Sequence, residues 1–267
     1  IGATTALFGV VDRVLLRALP YREPARLVQV GDGPMANALV ERIAARRDLY
    51  ASVAAVSWST DVSALVGEGA GATPLRVPAA DATGNLFETL GVPAALGRAL
   101  TPDDARADAL PVAVLAEPFW RERYGGDPAV VGRALVVDGV RRRIVGVMPA
   151  SLRIPDASVA LWIPTRIDAG DFARYWWSWR LQVVARLAPG VTPAQATAAT
   201  RALVMRAGQE EFPQKMNADF GADVVARPLQ EAIVGGVRST LWLLLGATGV
   251  VLVVAVVNAT GLALVRA

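Results

Sequence analysis

The residues able to do chemistry in this 267-residue chain are few, and their types exclude most of it. There is no histidine and no cysteine. Imidazole bases, thiolate nucleophiles, Ser-His-Asp triads and His/Cys metal sites are therefore ruled out. The sole lysine is Lys215, in FPQKMN; no serine lies three residues before it, and no G-x-S-x-G turn occurs. Neither common serine-nucleophile pattern is present. Gly67, Gly69 and Gly71 make a glycine-rich stretch, but no Gly-Lys-Ser/Thr follows. A loop that cradles phosphates needs that lysine, so the stretch reads as a hairpin turn. Asp103 and Asp104, like Glu210 and Glu211, are adjacent carboxylates. Neighbouring residues on a helix point in different directions, so neither pair forms an acid–base dyad. They read as solvated charges near helix ends. No cofactor and no metal is expected.

Two further clusters suggest contact more than catalysis. Arg141, Arg142 and Arg143 follow a turn and read as a solvated hairpin edge. Tyr175, Trp176, Trp177 and Trp179 place four aromatic rings within five residues. They cannot all enter one core, so part of this run is expected to meet a partner. Net charge is only +3, with the arginines spread among 24 acidic residues. Nothing in that distribution calls for nucleic acid.

The element that positions everything else is the uncharged run from Ser239 to Val265, STLWLLLGATGVVLVVAVVNATGLALV. As a helix it reaches roughly 35–40 Å, enough for a bilayer core of about 30 Å. It carries no polar stripe of the kind a surface helix needs. Within it Gly246, Gly249, Ala255, Ala259 and Ala263 are small residues that allow close helix packing. Asn258 is its one strongly polar side chain, expected to face a helix neighbour or cavity. Ile1–Val11 is also apolar, too short to span, and without the basic start of a signal peptide. Residues 1–19 are expected to end a first transmembrane helix that begins upstream, in a longer protein. A mean hydropathy of +0.39 fits a chain with such segments.

Between the apolar ends the pattern alternates strands with helices. Strands are expected at Arg26–Val30, Ser52–Trp58, Val62–Val66, Leu75–Ala80, Val112–Leu115, Arg133–Val137, Arg142–Val147, Leu161–Ile163, Arg180–Leu187 and Val224–Pro228. Gly31–Pro34 reads as a turn, and Asp138-Gly139 as a tight hairpin turn. Helices are expected at Asn37–Leu49, with Asn37 as cap, at Thr83–Leu90, from Thr101 and at Glu117–Tyr124. Another should run from a Thr192–Gln195 capping box to about Glu211. Along Arg180–Leu187, Leu181, Val183, Ala185 and Leu187 should face a core, with Arg180, Gln182, Val184 and Arg186 opposite. The fold class is α+β.

Six stretches, in order, carry a resemblance: Thr5–Tyr21, Gly84–Asp104, Gly125–Arg133, Ile144–Pro149, Arg186–Ala196 and Asn258–Ala267. With these the chain resembles the MacB-like periplasmic core domain and flanking helices of ABC-transporter permeases of the FtsX-like superfamily, in particular their duplicated orphan-permease branch. Ala18, Ala188 and Gly261 depart from the family pattern, where Pro, Lys or Arg, and Asn are common. The resemblance implies a two-lobed periplasmic domain flanked by transmembrane helices. Its porter-like βαβ lobe would comprise 20–90 and 180–233, its inserted lobe 91–179, and the second transmembrane helix 234–267. It implies a bacterial inner-membrane location with the main domain in the periplasm, and membrane lipid around the helices. It also implies a separate cytoplasmic ABC ATPase, a second permease copy or repeat, and room for a periplasmic or outer-membrane partner. The permease itself would be no enzyme; it would transmit ATP-driven motion for export. A membrane-anchored regulator of cell-wall hydrolases shares this architecture, and a membrane-anchored periplasmic enzyme is the reading from a different class.

Overall fold

The structure is a computed structural model that describes residues 19–66, 73–166, 179–211, 221, 223–233, 235, 243, 244 and 246–251. It divides into two compact units, Pro20–Pro228 and the two chain ends 1–19 with 229–267.

In the larger unit the strands are β1 (Leu27–Ala36), β2 (Tyr50–Ser57), β3 (Thr60–Val66), β4 (Thr73–Ala82), β5 (Leu96–Gly97) and β6 (Val112–Ala116). They continue as β7 (Ala134–Val137), β8 (Val140–Met148), β9 (Leu161–Pro164), β10 (Trp179–Leu187) and β11 (Ala226–Pro228). The helices are α1 (Asn37–Ala44), α2 (Leu86–Leu90), α3 (Glu117–Tyr124) and α4 (Pro193–Glu211). One half is an antiparallel sheet in the order β11-β1-β10-β2. Its first core joins Val28, Val30, Ile43, Tyr50, Val183, Ala185 and Val204, so α1 and α4 cover one face. Tyr50 Oη shares a buried 2.7 Å hydrogen bond with Thr200 Oγ1 of α4, which satisfies both hydroxyls away from water.

The other half is a closed ring. Strands run β4-β3-β7-β8-β6-β9, and β9 returns to β4 in parallel register, Ala79 opposite Leu161. Closure leaves these strands without a free edge. Its core holds Ala64, Val77, Ala79, Leu115, Leu135, Val137, Ile144 and Leu161. Asp138 and Gly139 both take positive φ, 47° and 78°, as the tight β7–β8 turn requires. The halves meet where β2 touches β4 at a single pair, Val56 opposite Ala82. The rest of that β2 edge is met from the segment before α2. Thr83 Oγ1 accepts from Ala55 N–H, Thr83 N–H donates to Ala55 O, and Asn85 Nδ2 donates to Val53 O.

Several local expectations change in three dimensions. Gly31–Pro34 is a bulge within β1: pairing with β10 passes from Val30 opposite Val183 directly to Met35 opposite Leu181, Gly31 takes φ +87°, and Gly31 N–H and Asp32 N–H find acceptors at Val225 O and Asp223 O. α1 stops at Ala44, and Asn37 lies inside it with Ala36 as the cap residue. α2 begins only at Leu86, since Thr83 is held by β2. The Thr101–Asp104 box exists, but it caps a single 3-10 turn, Pro102–Ala105. β5 was not expected; two residues give no periodicity to read. β10 is buried along both faces from Leu181 to Leu187 instead of alternating.

In the smaller unit, residues 243, 244 and 246–251 are helical, and Leu243, Leu244, Val250 and Val251 are exposed. Gly246 and Gly249 lie here with open space around them. Among the described residues no helix is long and apolar enough to cross a membrane. Most of the expected spanning run, including Ala255, Asn258, Ala259 and Ala263, lies outside the described residues, as do residues 1–18.

Gly84 marks the tightest backbone approach. A Cβ built there would sit 2.0 Å from Thr101 O, which is main chain and cannot swing aside. Gly84→Ala should therefore cost about 2–3 kcal/mol, the upper part of the overpacking range. Gly33→Ala, with nothing within 4 Å of its Cβ, serves as the control and should change little. Urea unfolding of both variants checks this; equal midpoints would refute the close approach.

Candidate functional site

The chain passes from residue 19 into the larger unit through a leading segment, Pro20–Arg26, and this segment is tied down more heavily than its exposure suggests. Arg22 N–H donates to Leu90 O at 3.1 Å. Gly91, with φ +70°, lets the segment lie against the end of α2; a Cβ there would be 2.4 Å from Arg22 Cβ. Glu23 has φ 44°, ψ 59°, a left-handed conformation that costs a non-glycine residue about 1–2 kcal/mol. Something must hold it there.

Two arginines do so. Arg186 of β10 is 4% exposed. Its Nε donates to Thr89 O at 3.2 Å; its terminal nitrogens donate to Thr89 O at 2.9 Å, Arg22 O at 2.7 Å, Glu23 O at 3.3 Å and the Glu23 carboxylate at 3.4 Å. These five bonds match the five N–H groups of a guanidinium. Burial pushes the Arg186 guanidinium down from its usual range, and neighbouring Arg22 adds to this while Glu23 opposes it. Four of the five bonds go to three backbone carbonyls, Thr89 O accepting twice, so the cation is stabilised chiefly by peptide dipoles. Glu23 is half exposed and contributes a screened ion pair. Arg26 adds 3.1 and 2.6 Å bonds to Leu187 O and a 2.7 Å bond to Glu23.

On its other side the segment reaches the ring half. Tyr21 is buried, and its Oη accepts from Arg153 N–H at 3.3 Å. Burial raises the Tyr21 phenol, against the opposing effect of that bond, so it stays neutral at physiological pH. Trp162 of β9 stacks edge-on against Phe87 at 5.7 Å and donates Nε1–H to Ile154 O at 3.0 Å. Tyr21, Phe87, Ile154 and Trp162 are all buried, and these contacts, through Arg153 and Ile154, link leading segment, α2 and ring.

The chain's way out lies beside its way in. β11 pairs with β1, placing Pro228 opposite Val28 and Ala226 opposite Val30. Asp32 and Arg227 add a 2.6 Å surface ion pair. Ala226 N–H donates to Thr197 Oγ1 of α4 at 2.8 Å, fastening β11 to the helix as well.

The sequence model of the MacB-like periplasmic core domain matches residues 1–203. The chain belongs to this family. The core domain is a mixed α and β fold similar to the periplasmic region of MacB from Actinobacillus actinomycetemcomitans, at TM-score 0.55, 15% identity, 73% of this chain and 89% of that chain. A domain described as that of a permease protein from Porphyromonas gingivalis matches equally, at TM-score 0.55 and 15% identity, over 73% of this chain and 88% of that chain. At this identity the likeness concerns fold. No curated protein matches the sequence at a significant level. The family is that of the periplasmic domain of ABC-transporter permeases.

Of the residues singled out in sequence, Tyr175, Trp176 and Trp177 lie outside the described residues, while Trp179 opens β10 opposite Ala36. Trp58, which sequence reading absorbed into a strand, is 54% exposed just past the end of β2, next to Ser57, whose partner on β10 is Leu181. Arg186 and Glu23 were missed. Arg186 opens the Arg186–Ala196 stretch of the family pattern, which says nothing of burial, and Glu23 lies in none of the six stretches. Asp104 is a structural cap: burial pushes its carboxyl up, but bonds from Arg98 and Thr101 outweigh that and hold it down. Among the described residues no group of His, Cys, Asp and Glu could hold a metal ion.

Arg142 departs from the solvated-edge expectation. It pairs with Leu135, whose side chain is in the ring core, so it shares that inward face. Its Nε is buried without a partner. Asp81 follows Val77 and Ala79 along the inward face of β4. Burial raises the Asp81 carboxyl, although Arg180 and Arg142 pull it back. A carboxyl raised on folding adds stability below its unfolded pKa and loses it as pH climbs through the folded value. Asp81→Asn should therefore raise the melting temperature by about 1–3 °C at pH 7, discounted because the side chain is 37% exposed. The gain should vanish near pH 4, the ordinary carboxylate range. A variant that melts lower than wild type at pH 7 would show the charge to be stabilising.

Proposed function

We propose that this chain is the periplasmic part of an ABC-transporter permease that transmits ATP-driven motion for export, with ATP hydrolysis in a separate cytoplasmic partner. The observation that carries the reading is the pairing of β1 with β11, which sets the two chain ends of the larger unit side by side at Val28 and Pro228. Two membrane helices leading to adjacent strands can convert a change in their tilt into movement of the domain, a two-state element of the kind such coupling needs. Family membership supports the ATPase partner, the inner-membrane location and the second permease copy or repeat. Residues 1–19 and 234–267 are then the membrane-spanning parts, with Gly246, Gly249, Ala255, Asn258, Ala259 and Ala263 in helix packing. The two hydrophobic cores support a division into a porter-like lobe, 20–90 with 180–233, and an inserted lobe, 91–179, whose ring borrows β3 and β4 from the first. The rings of Tyr175, Trp176, Trp177 and Trp179 serve partner contact, a role supported by exposed Trp58 near the start of β10.

Because the chain has no cysteine, single cysteines can be placed pairwise along 14–17 and 236–243 without background. At least one pair should form a disulfide, which needs Cα atoms within about 7 Å, and locking it should stop transport while the ATPase still binds ATP. Normal transport by locked protein would sink the coupling.

Trp176→Ala and Trp177→Ala should leave the melting temperature within about 2 °C of wild type yet impair complex formation or transport. Loss of folding in both variants would assign these rings to the core.

A further inference from the structure

We infer that Arg186 is a positioning residue that clasps the leading segment to α2 and β10, so that movement of this segment is delivered at the joint between the two halves. The inference rests on the mechanical reading above and names the residue through which it acts.

Three observations lead to it. First, Arg186 spends all five donors on groups from two places, Thr89 at the end of α2 and Arg22–Glu23 of the leading segment. A residue required only to fill β10 would not need this set of acceptors. A methionine fills similar volume, and replacing buried ionic groups with apolar ones is often neutral or better for stability. Second, Glu23 is held in the left-handed region with no glycine to relieve it. Local strain persists where the surroundings over-determine it, and here Arg186 bonds the carbonyls on either side of the Glu23 Cα while Arg26 holds its carboxylate. Third, Tyr21 bonds Arg153 two residues upstream of Glu23, so the clasped segment is tied to the ring half as well. Without Arg186, the segment would keep single bonds to Leu90 and Arg153 and the outer bridge through Arg26. None of those bonds except the ones from Arg26 touches Glu23 itself, so its left-handed peptide would lose the guanidinium donors that hold its carbonyl and that of Arg22.

Guanidinium geometry adds specificity. Lysine keeps the charge but offers three donors from one atom instead of five in a planar fork. It could not serve Thr89 and Glu23 together. Glu23 alone could not do the work, since its carboxylate is half exposed and its pair with Arg186 is the longest contact of the set.

The test uses amide hydrogen exchange on the whole chain in detergent, comparing wild type, Arg186→Met and Arg186→Lys. With the clasp lost, residues 20–26 and 86–92 should exchange about tenfold faster, while the β10–β2 ladder around Val183 and Ala185 keeps its protection. Lysine should give an intermediate result. Unchanged exchange at 20–26 in Arg186→Lys overturns the inference, as does loss of protection spread evenly through the β10 ladder in either variant. If Arg186→Met does not fold, the lysine variant decides alone.

A second measurement separates the clasp from the reading beneath it. Nitroxides at Ala51 and Leu110, both exposed and one on each half, report the distance between halves in the permease assembled with its ATPase. Wild type should show a distance that changes with ATP. Arg186→Met should lose that change while ATP hydrolysis continues. No change in wild type refutes the mechanical reading and leaves the exchange result to judge the clasp; a full change in Arg186→Met refutes the clasp.

Discussion

A charged side chain sealed inside β10 sets the terms for the rest of the larger unit. Arg186 is enclosed because β10 is covered on both faces, by the α1/α4 core on one and by α2 with the leading segment on the other. Removing a guanidinium from water costs several kcal/mol unless its donors are met. Here they are met chiefly by carbonyls that helix and strand geometry leave free, the end of α2 and the bend at Arg22–Glu23. Such bonds to a charged group contribute about 1.5–3 kcal/mol each net of desolvation, more than the about 1–2 kcal/mol that the left-handed Glu23 costs. The end of α2 and the incoming chain meet at this side chain, and Gly91 lets them lie close together.

The two halves are built on different solutions to the same edge problem. The ring half closes upon itself through the parallel β9–β4 pair, so its strands lose their free edges. The antiparallel half leaves β2 open beyond Val56, and side chains from Thr83 and Asn85 complete it. Beside these, Thr83 N–H bonds Ala55 O, Asp81 N–H bonds Ser57 Oγ and Arg180 pairs with Asp81, a joint made more of single bonds than of a ladder. The buried Tyr21, Phe87, Ile154 and Trp162, linked through Arg153 and Ile154, reinforce it. Motion delivered at the leading segment therefore reaches both halves at this joint.

Much of this protein was legible in its residues. Exclusion of histidine and cysteine chemistry needs no structure. Asp138-Gly139 marked its hairpin because few other dipeptides accept two positive φ angles. Helix α3 appeared with the expected limits, and α4 began at the Thr192–Gln195 box, because capping and periodicity are local properties. The family stretches were likewise readable, and the family match over residues 1–203 takes in the five from Thr5–Tyr21 to Arg186–Ala196, while Asn258–Ala267 lies beyond it. What the sequence could not show was the fate of groups whose partners lie far along the chain. Gly31–Pro34 reads as a turn, and the structure makes it a bulge in β1 because Val225 O and Asp223 O, far along the chain, accept from Gly31 N–H and Asp32 N–H. Arg142 reads as solvated until ring closure turns it inward beside Leu135. Arg186 stands in an alternating pattern that assigns it to solvent, yet it is buried because Thr89 and Arg22, 97 and 164 residues away in sequence, converge on it. Local sequence determined which segments would be strands and helices, since that depends on near neighbours. Only the tertiary structure decided which charges are enclosed, since burial and its compensation are properties of packed surfaces from distant parts of the chain.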